Sequence, residues 1–213
     1  MKDNVLKIIA TIIISFILLY LVYVLINKPT QTYFPEINAI SKNDLIKWSP
    51  NKKNILVEYS DFQCPACKNF HDFLQEFESS KSANFPITKK VTLVFRHFPL
   101  YQIHPSSMDA AYAAEAAAIQ GKFWEMDDQL FGKQDTWSTS ANPRQEFINM
   151  AKEIKLDIEK FKSDMDSKIV KNKVQADIAS GNSAGINSTP TFFLNGKKIE
   201  LTNLDEFKKL LLK

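Results

Sequence analysis

The stretch "EYSDFQCPACKNF", residues 58–70, decides the fold, and it contains both cysteines of the 213-residue chain, Cys64 and Cys67. A disulfide between them would enclose only two residues, and the stabilisation from a disulfide grows with the loop it closes. Structural zinc needs four ligands, and the three histidines of the chain do not have the spacing of a finger or ribbon. Cysteines three apart on the first turn of a helix can form and break a disulfide, so the pattern favours a redox switch.

The flanking sequence predicts a strand, a helix and a second strand. "NILVEYS" (54–60) is rich in β-branched and aromatic residues and ends just before the cysteines. Pro65 falls in the first turn of the helix that follows, where its missing N–H costs nothing, and apolar spacing carries that helix to about Ser79. "KVTLVFRHF" (90–98) is the second strand. The order strand–helix–strand favours a parallel pair.

The remainder of the chain is predicted to be helical first and then to return to strand. Helical patterns fill residues of about 104–184, with Asn142 and Pro143 as one clear helix start. "TFFLNGKKIEL" (191–201) has an Asn-Gly pair between two strand arms, which predicts a hairpin. A final helix is expected from Thr202 onward.

The N-terminus predicts a membrane anchor. Ile8–Ile26 is uncharged and long enough, at about 1.5 Å per residue, to cross a hydrocarbon core of about 30 Å. A cleaved signal peptide is the alternative, but the apolar run is longer than a usual signal core and no A-x-A site follows it. Lys2 and Lys7 precede the span, so the positive-inside rule places the N-terminus in the cytoplasm and the rest of the chain outside.

Composition suggests one extracytoplasmic domain behind this anchor. Residues 1–27 form the anchor, 28–50 lack periodicity and are expected to be a tether, and 51–213 suffice for one domain with a sizeable core. The formal net charge is +3, and the basic residues are dispersed, so nucleic-acid binding is not expected. An oxidising compartment would pair the two cysteines.

Five motifs in one order carry a resemblance to a known family, from about residue 54 to the C-terminus. They are "EYSDFQCPAC", "FRHFPL", "HPSSMDAAYAAEAA", "GKFWEMDDQLF" and "AGINSTPTFFLNGK". The chain resembles the DsbA-like thiol:disulfide oxidoreductases of the thioredoxin superfamily, in particular their membrane-tethered bacterial branch. The resemblance implies an α/β thioredoxin fold with an inserted helical domain near 104–184, here preceded by one transmembrane helix.

The two cysteines are expected to play different parts. Cys64 follows a strand and opens a helix, where unpaired N–H groups and the helix dipole stabilise a thiolate, so its pKa should lie below the free value of about 8.5. The resemblance implies that Cys64 is the attacking or attacked sulfur and that Cys67 resolves the mixed disulfide. Ala66 departs from the histidine of the best-known CPHC members, which suggests a less oxidising pair.

Glu58 is an acid inside an apolar strand, six residues before Cys64. If the strand lies at a sheet edge, Glu58 is solvated and ordinary. If the strand is central, burial raises the pKa of Glu58, which can then exchange a proton with Cys67. The resemblance favours the second reading, because the family has an acid at this offset.

Thr189 and Pro190 complete the expected site. A proline that opens a strand can be an ordinary trans residue. The resemblance instead implies a cis-proline that faces the cysteines and exposes the backbone of Thr189 to an extended peptide. Neither His97 nor His104 is predicted to be catalytic, and His71 is expected at the surface.

The favoured function is oxidation of thiols in unfolded or cysteine-containing secreted and membrane proteins. The resemblance implies reoxidation by a quinone-linked membrane partner of the DsbB or VKOR type, with no metal and no other cofactor. One alternative is a reductase or isomerase kept reduced by a membrane electron carrier, because Thr before this proline also occurs in isomerase-type relatives. The other is a tethered metal- or substrate-binding module that uses the cysteines as ligands.

Overall fold

The computed structural model describes residues 2–26, 32–49, 53–79, 87–199, 207 and 209. The chain divides into two units, Met1–Thr32 and Tyr33–Lys213. The first unit is one helix, α1 (Lys2–Ile26). Its stretch Leu6–Val24 has a mean hydropathy of 2.4 and is long and apolar enough to cross a membrane, a test that a signal sequence also passes.

The second unit is a five-stranded sheet with helices. Its elements, in chain order, are α2 (Pro35–Asn38), β1 (Leu45–Trp48), β2 (Asn54–Ser60), α3 (Pro65–Ser79), α4 (Ile87–Lys90), β3 (Val91–His97), α5 (Ser107–Ile119), α6 (Phe123–Gly132), α7 (Gln134–Trp137), α8 (Pro143–Glu153), α9 (Ile158–Asp166), α10 (Lys168–Ser183), β4 (Thr191–Leu194) and β5 (Lys197–Ile199). The strand order is β1-β3-β2-β4-β5. This is a thioredoxin-like α/β fold with a helical block between β3 and β4, as predicted.

Strand β2 lies in the middle of the sheet. It pairs in parallel with β3, so that Glu58 lies opposite Phe95, and antiparallel with β4, so that Glu58 lies opposite Phe192. The parallel pair is the one that the strand–helix–strand order predicts. Because β2 has a neighbour on each side, the reading of Glu58 as a solvated residue on an edge strand is wrong.

Alternation along β2 assigns its side chains to two faces. Val57 and Tyr59 pack in one core cluster, which also contains residues of α2 and of the segment after α10. Leu56 packs on the opposite face, with Phe70 of α3 and Phe192 of β4. Glu58 and Ser60 share the parity of Leu56, so the backbone directs them to the α3 side of the sheet.

The helical block has its own core. Helix α5 presents a face of alanines that are almost fully buried, which lets α6 and α9 approach closely. Large rings fill the remaining space, including the fully buried Trp137 and Phe147. Helix α8 begins where the sequence predicts, because the Asn142 side chain accepts a hydrogen bond from the backbone N–H of Gln145.

The prediction of a tether over residues 28–50 is wrong for residues 33–49, which belong to the folded unit. Strand β1 pairs antiparallel with β3 at the sheet edge. Arg96 fixes the preceding segment by donating hydrogen bonds to the carbonyl oxygens of Ile37 (3.1 Å) and Ala39 (2.9 Å) and to the carboxylate of Asp44 (3.0 Å). A buried arginine with several acceptors can order a short segment that has little apolar surface of its own.

The C-terminal hairpin is confirmed and the final helix is only partly described. Asn195 and Gly196 both have positive φ, 50° and 76°, as a two-residue hairpin turn requires. A side chain at Gly196 would collide with the ring of Tyr33, 2.5 Å from the added carbon. The helix expected from Thr202 lies outside the described residues, apart from the buried Phe207, which packs against Phe70, and Lys209.

Candidate active site

Cys64 lies between the end of β2 and the first helical residue, Pro65. Its backbone N–H donates to the carbonyl of Asp61 at 3.0 Å, which closes the turn from strand to helix. Cys64 retains 7% of its exposed surface and Cys67 retains none. Both are free thiols in this structure. Both cysteines are therefore buried, and Cys64 is the more exposed of the two.

The environment separates the pKa values of the two thiols. The hydrogen bond from the Cys67 side chain is the largest cause that lowers the pKa of Cys64 to about 5, and the backbone N–H groups of Cys67 and Ala66 act in the same direction against burial. Burial, followed by the proximity of Cys64, raises the pKa of Cys67 well above its usual value. Ionisation of Cys64 thus keeps Cys67 protonated at neutral pH.

Thr189 and Pro190 lie against the exposed sulfur. The peptide bond between them is cis, as the resemblance implies. The Cys64 thiol donates to the backbone carbonyl of Thr189 at 3.4 Å. The Thr189 hydroxyl also lowers the pKa of Cys64. The structure therefore brings Cys64, Thr189 and Pro190 together, although 125 residues separate the first two.

Glu58 is buried, with 4% of its surface exposed. Burial is the largest cause that raises the pKa of Glu58 to about 7 from an ordinary 4.5; the nearby Asp127 raises it further, whereas Ser60 and His71 lower it. At neutral pH both protonation states of Glu58 are therefore populated. This is the environment that the sequence predicts for an acid in a central strand.

Ser60 lies between Glu58 and Cys67. Its hydroxyl is buried and closes no hydrogen bond of good geometry among the described residues, yet it is near enough to both groups to lower the pKa of each. Ser60 is therefore close to both groups. Glu58 comes from strand β2 and Cys67 from helix α3, which packs on the face of the sheet to which Glu58 belongs.

Two residues that hold the turn in place were missed by sequence reasoning. The buried carboxylate of Asp61 accepts hydrogen bonds from the backbone N–H groups of Gln63 (2.7 Å) and Leu100 (2.8 Å). The buried Gln134 side chain donates to the carbonyl oxygens of Phe62 (2.7 Å) and Cys64 (3.0 Å). An Asp at a strand end is a local turn signal, so Asp61 was detectable, whereas Gln134 comes from the distant helical block and gives no local signal.

The expectation that His71 is a surface residue is wrong. Its side chain is 11% exposed, and its ring stacks on Phe131 with centroids 4.8 Å apart. The ring nitrogens lie 3.2 Å from Asp127 Oδ2 and 3.6 Å from Asp128 Oδ1. Burial lowers the pKa of His71, but the hydrogen bond and charge of Asp127 together with the charge of Asp128 raise it more, so the net change is upward.

The rings of the other two histidines each lie within hydrogen-bond distance of a carboxylate. His104 Nδ1 lies 2.7 Å from Asp61 Oδ2, beside the cysteine turn. His97 is buried, with Nε2 at 2.9 Å from Glu115 Oε1. Neither ring contacts a cysteine through any hydrogen bond in the described part of the chain, in keeping with the expectation that neither is catalytic.

Two groups of His, Asp and Glu side chains in the described residues are close enough to share a cation: His71 with Asp127 and Asp128, and His97 with Glu115 and Asp177. Neither group includes a cysteine. In the second group the Lys173 ammonium already lies 2.6 Å from Asp177. In the first, the ring nitrogens of His71 lie 3.2 Å and 3.6 Å from the two carboxylates.

Comparison with known proteins agrees with this geometry. The thioredoxin family model matches residues 41–213. The oxidised BdbD of Bacillus subtilis superposes with a TM-score of 0.70 at 22% identity, covering 85% of this chain and 96% of that protein. The α-DsbA1 of Wolbachia pipientis superposes with a TM-score of 0.67 at 23% identity, covering 83% and 93%. These two likenesses establish a shared fold.

Curated relatives match over part of their length. A Na(+)/H(+) antiporter NhaA 1 of Mycobacterium sp. strain KMS is 38% identical over 160 residues, which are 74% of this chain and 24% of that protein. An NhaA 3 of Salinispora tropica is 33% identical over 143 residues, 67% of this chain and 20% of that protein. The chain thus spans about a quarter or less of these relatives, and the antiport in their names describes the whole proteins.

The family model covers most of the folded unit, and the two solved structures share its fold. The chain belongs to the thioredoxin family and has the fold of its DsbA-like thiol-disulfide oxidoreductases.

Proposed function

We propose that this protein is a thiol-disulfide oxidoreductase that uses a Cys64–Cys67 disulfide to oxidise thiols of secreted or membrane proteins. The observation that carries the proposal is the opposite displacement of the two thiol pKa values, Cys64 to about 5 and Cys67 upward. A thiol of low pKa is ionised at neutral pH and is a good leaving group. Stabilising the reduced form in this way makes the disulfide more oxidising.

The exchange would proceed in two balanced steps. A substrate thiolate attacks the Cys64 sulfur, the Cys64–Cys67 bond breaks, and Cys67 leaves with the electron pair and takes up a proton. A second substrate thiolate then attacks the substrate sulfur of the mixed disulfide and displaces Cys64 as a thiolate. The substrate gains a disulfide, and the protein retains two reduced cysteines.

Thr189 would guide the substrate to Cys64. Once Cys64 is a thiolate it has no proton to donate, so the Thr189 carbonyl that accepts from it at 3.4 Å is left to accept from another donor. An extended peptide offers a backbone N–H at that position. We propose that Thr189 and Pro190 align the substrate cysteine with the exposed sulfur.

Glu58 would supply and remove the proton of Cys67. Its pKa of about 7 makes it both a competent acid and a competent base at neutral pH. Ser60 lies near both groups and offers a hydroxyl for the transfer. Because Cys67 is fully buried, a thiolate formed there without a nearby proton donor would be strongly disfavoured.

The setting of the proposed reaction is the outer face of the cytoplasmic membrane or the periplasm. Helix α1 would remain as an uncleaved anchor with its N-terminus in the cytoplasm, in line with the lysines before the apolar span. A quinone-linked membrane protein of the DsbB or VKOR type would reoxidise the cysteines. The anchor would hold the domain near such a partner.

The two cysteine variants should separate the roles of the sulfurs. We expect Cys64→Ser to abolish exchange with peptide thiols, because the exposed nucleophile is lost. We expect Cys67→Ser to accumulate mixed disulfides, because no second thiol resolves them. Non-reducing gels and mass spectrometry after incubation with a peptide disulfide read out both, because the Cys64 thiolate attacks the peptide disulfide and one peptide thiolate leaves. Mixed disulfides trapped by Cys64→Ser and not by Cys67→Ser would reverse the assignment.

Glu58→Gln should change stability in a pH-dependent way. Because the pKa of Glu58 is higher in the folded protein than the unfolded value of 4.5, this residue does not lower the free energy of unfolding below pH 4.5. Its destabilising effect grows as the pH rises and levels off above about pH 7. Since one pKa unit corresponds to about 1.4 kcal/mol, the replacement should add up to about 3 kcal/mol to the free energy of unfolding at pH 8 and little at pH 4. Urea titrations of the reduced proteins measure this difference. The Glu58→Gln substitution should also slow disulfide exchange near pH 7 and leave the alkylation rate of Cys64 unchanged.

Glu159→Gln is the matched control for that substitution, because its side chain is 85% exposed. It should change neither stability nor kinetics at either pH. An identical stability difference at pH 4 and pH 8 for Glu58→Gln would show that packing, and not ionisation, explains the effect.

The reduction potential should distinguish the oxidant from the reductase or isomerase. Strong oxidants such as DsbA lie at about −120 mV and reductants such as thioredoxin at about −270 mV. We expect a value closer to the first, because the Cys64 thiolate stabilises the reduced form. Equilibration with glutathione buffers, followed by alkylation and mass analysis, gives the potential. A value near that of thioredoxin would favour the alternative, a protein kept reduced by a membrane electron carrier.

The full-length chain should remain with membranes after washing with alkaline carbonate, because residues 8–26 of α1 carry no charge to draw them into water. Its folded unit should be accessible to protease added from outside. Immunoblots of washed membranes and of protease-treated spheroplasts provide both readouts. A soluble mature protein that begins near residue 30 would establish the signal-peptide alternative instead.

A further inference from the structure

Glu58 can act as a proton carrier only if it exchanges protons with solvent, and its surface is 96% covered. Glu58, His71, Asp127 and Phe131 line a cavity of about 20 Å³, which is room for one water molecule. This inference rests on the proton role of Glu58 proposed above.

One buried oxygen in the wall of this cavity lacks a hydrogen-bond partner among the described residues. Asp127 is 3% exposed, and its Oδ1 closes no hydrogen bond among the described residues. Buried carboxylate oxygens without a partner are costly, and ordered water is their usual partner in a small polar cavity. A water there would touch Asp127 and reach Glu58 on the same wall.

His71 connects this buried site to the surface. Its Nδ1 lies 3.2 Å from Asp127 Oδ2, and its Nε2 lies 3.6 Å from Asp128 Oδ1. The Asp128 side chain is 45% exposed. An imidazole can take a proton at one ring nitrogen and release one at the other, and its two nitrogens here face an inner and an outer carboxylate.

We propose that His71 and Asp127 form the proton path between Glu58 and solvent, with Asp128 at its outer end. When Cys67 leaves the disulfide it takes the Glu58 proton, and a proton from solvent then passes by way of His71 and the cavity water to the Glu58 carboxylate. The direction reverses when the cysteines are reoxidised. The pKa of about 7 places Glu58 in the range where such transfer is efficient, and against the effect of burial Asp127 and Asp128 raise the pKa of His71.

The charged groups around the path come from four elements. Glu58 faces it from β2, His71 and Glu78 from α3, Asp127 and Asp128 from α6, and Lys47 from β1. Lys47 is paired with Glu78 at 2.8 Å, so its charge is already compensated. Gln75 donates to Asp128 and lies 3.2 Å from His71 Nε2, which holds the outer carboxylate beside the ring.

A purely structural role for His71 is the competing explanation, since the ring stacks on Phe131 and pairs with Asp127. The two explanations differ in what a glutamine at position 71 would do. Glutamine retains a donor for Asp127 but cannot relay a proton. A structural role predicts changes in stability alone, whereas a relay predicts a changed pH profile and solvent isotope effect at the disulfide-reduction step.

The test follows single-turnover reduction of the full-length oxidised protein by dithiothreitol between pH 5 and 8, in H2O and D2O. We expect His71→Gln to slow the reaction about tenfold near pH 7, with a larger solvent isotope effect and acceleration by added imidazole. Alkylation of Cys64 should be unchanged. Asp128→Asn, at a half-exposed position that the fold tolerates, should show the same behaviour to a smaller degree. Asp72→Asn, an exposed neighbour on α3, is the matched control and should react like wild type.

The double variant Glu58→Gln/His71→Gln tests whether His71 and Glu58 act on one proton path or on two independent ones. If His71 acts through Glu58, the double variant should be no slower than Glu58→Gln alone. Losses that multiply, or wild-type kinetics in both His71→Gln and Asp128→Asn while Glu58→Gln is slow, would overturn the path and leave the Glu58 role intact. Wild-type kinetics in Glu58→Gln would overturn both.

Discussion

The interaction between the Cys67 thiol and the Cys64 sulfur is the one on which the site depends. It is the largest cause of the low pKa of Cys64, and it requires that Cys67 keep its proton. Burial secures that condition, since Cys67 is fully enclosed and a second negative charge beside the first would be prohibitively costly. Cys64 is therefore reactive because Cys67 stays protonated. The start of helix α3 holds the two cysteines one helical turn apart.

The helical block between β3 and β4 contributes to this arrangement as well as to the core. The Gln134 side chain of α7 donates to the Phe62 and Cys64 carbonyl oxygens across 72 and 70 residues of sequence. These two hydrogen bonds connect the inserted helices directly to the backbone of the cysteine-bearing turn. The block therefore helps to hold that turn in place.

The sequence predicted those parts of the structure that depend on interactions between residues close together in the chain. Strands β2 and β3, helix α3 and the Asn-Gly hairpin follow from periodicity and turn chemistry. Glu58 could be singled out because an acid in an apolar strand is itself a local anomaly. That residues 33–49 belong to the folded unit could not be predicted. Their position depends on Arg96, which binds Asp44 from 52 residues further along the chain. The roles of Gln134 and of the contact between His71 and Asp127 could not be predicted for the same reason, because each residue contacts an element that is distant in the sequence.

Helix α3 brings the buried sulfur and the proton-carrying groups together. Cys67 and His71 are four residues apart and so lie on one side of the helix, and Glu58 of β2 is close enough to His71 for the ring to lower its pKa. Asp127 raises the pKa of Glu58 and His71 lowers it, so the pair exerts opposing effects and leaves burial to set a value near neutrality. A charged pair can therefore lie beside the proton carrier without fixing it in one state. Proton exchange on this face also leaves Cys64 and Thr189 free for substrate on the other.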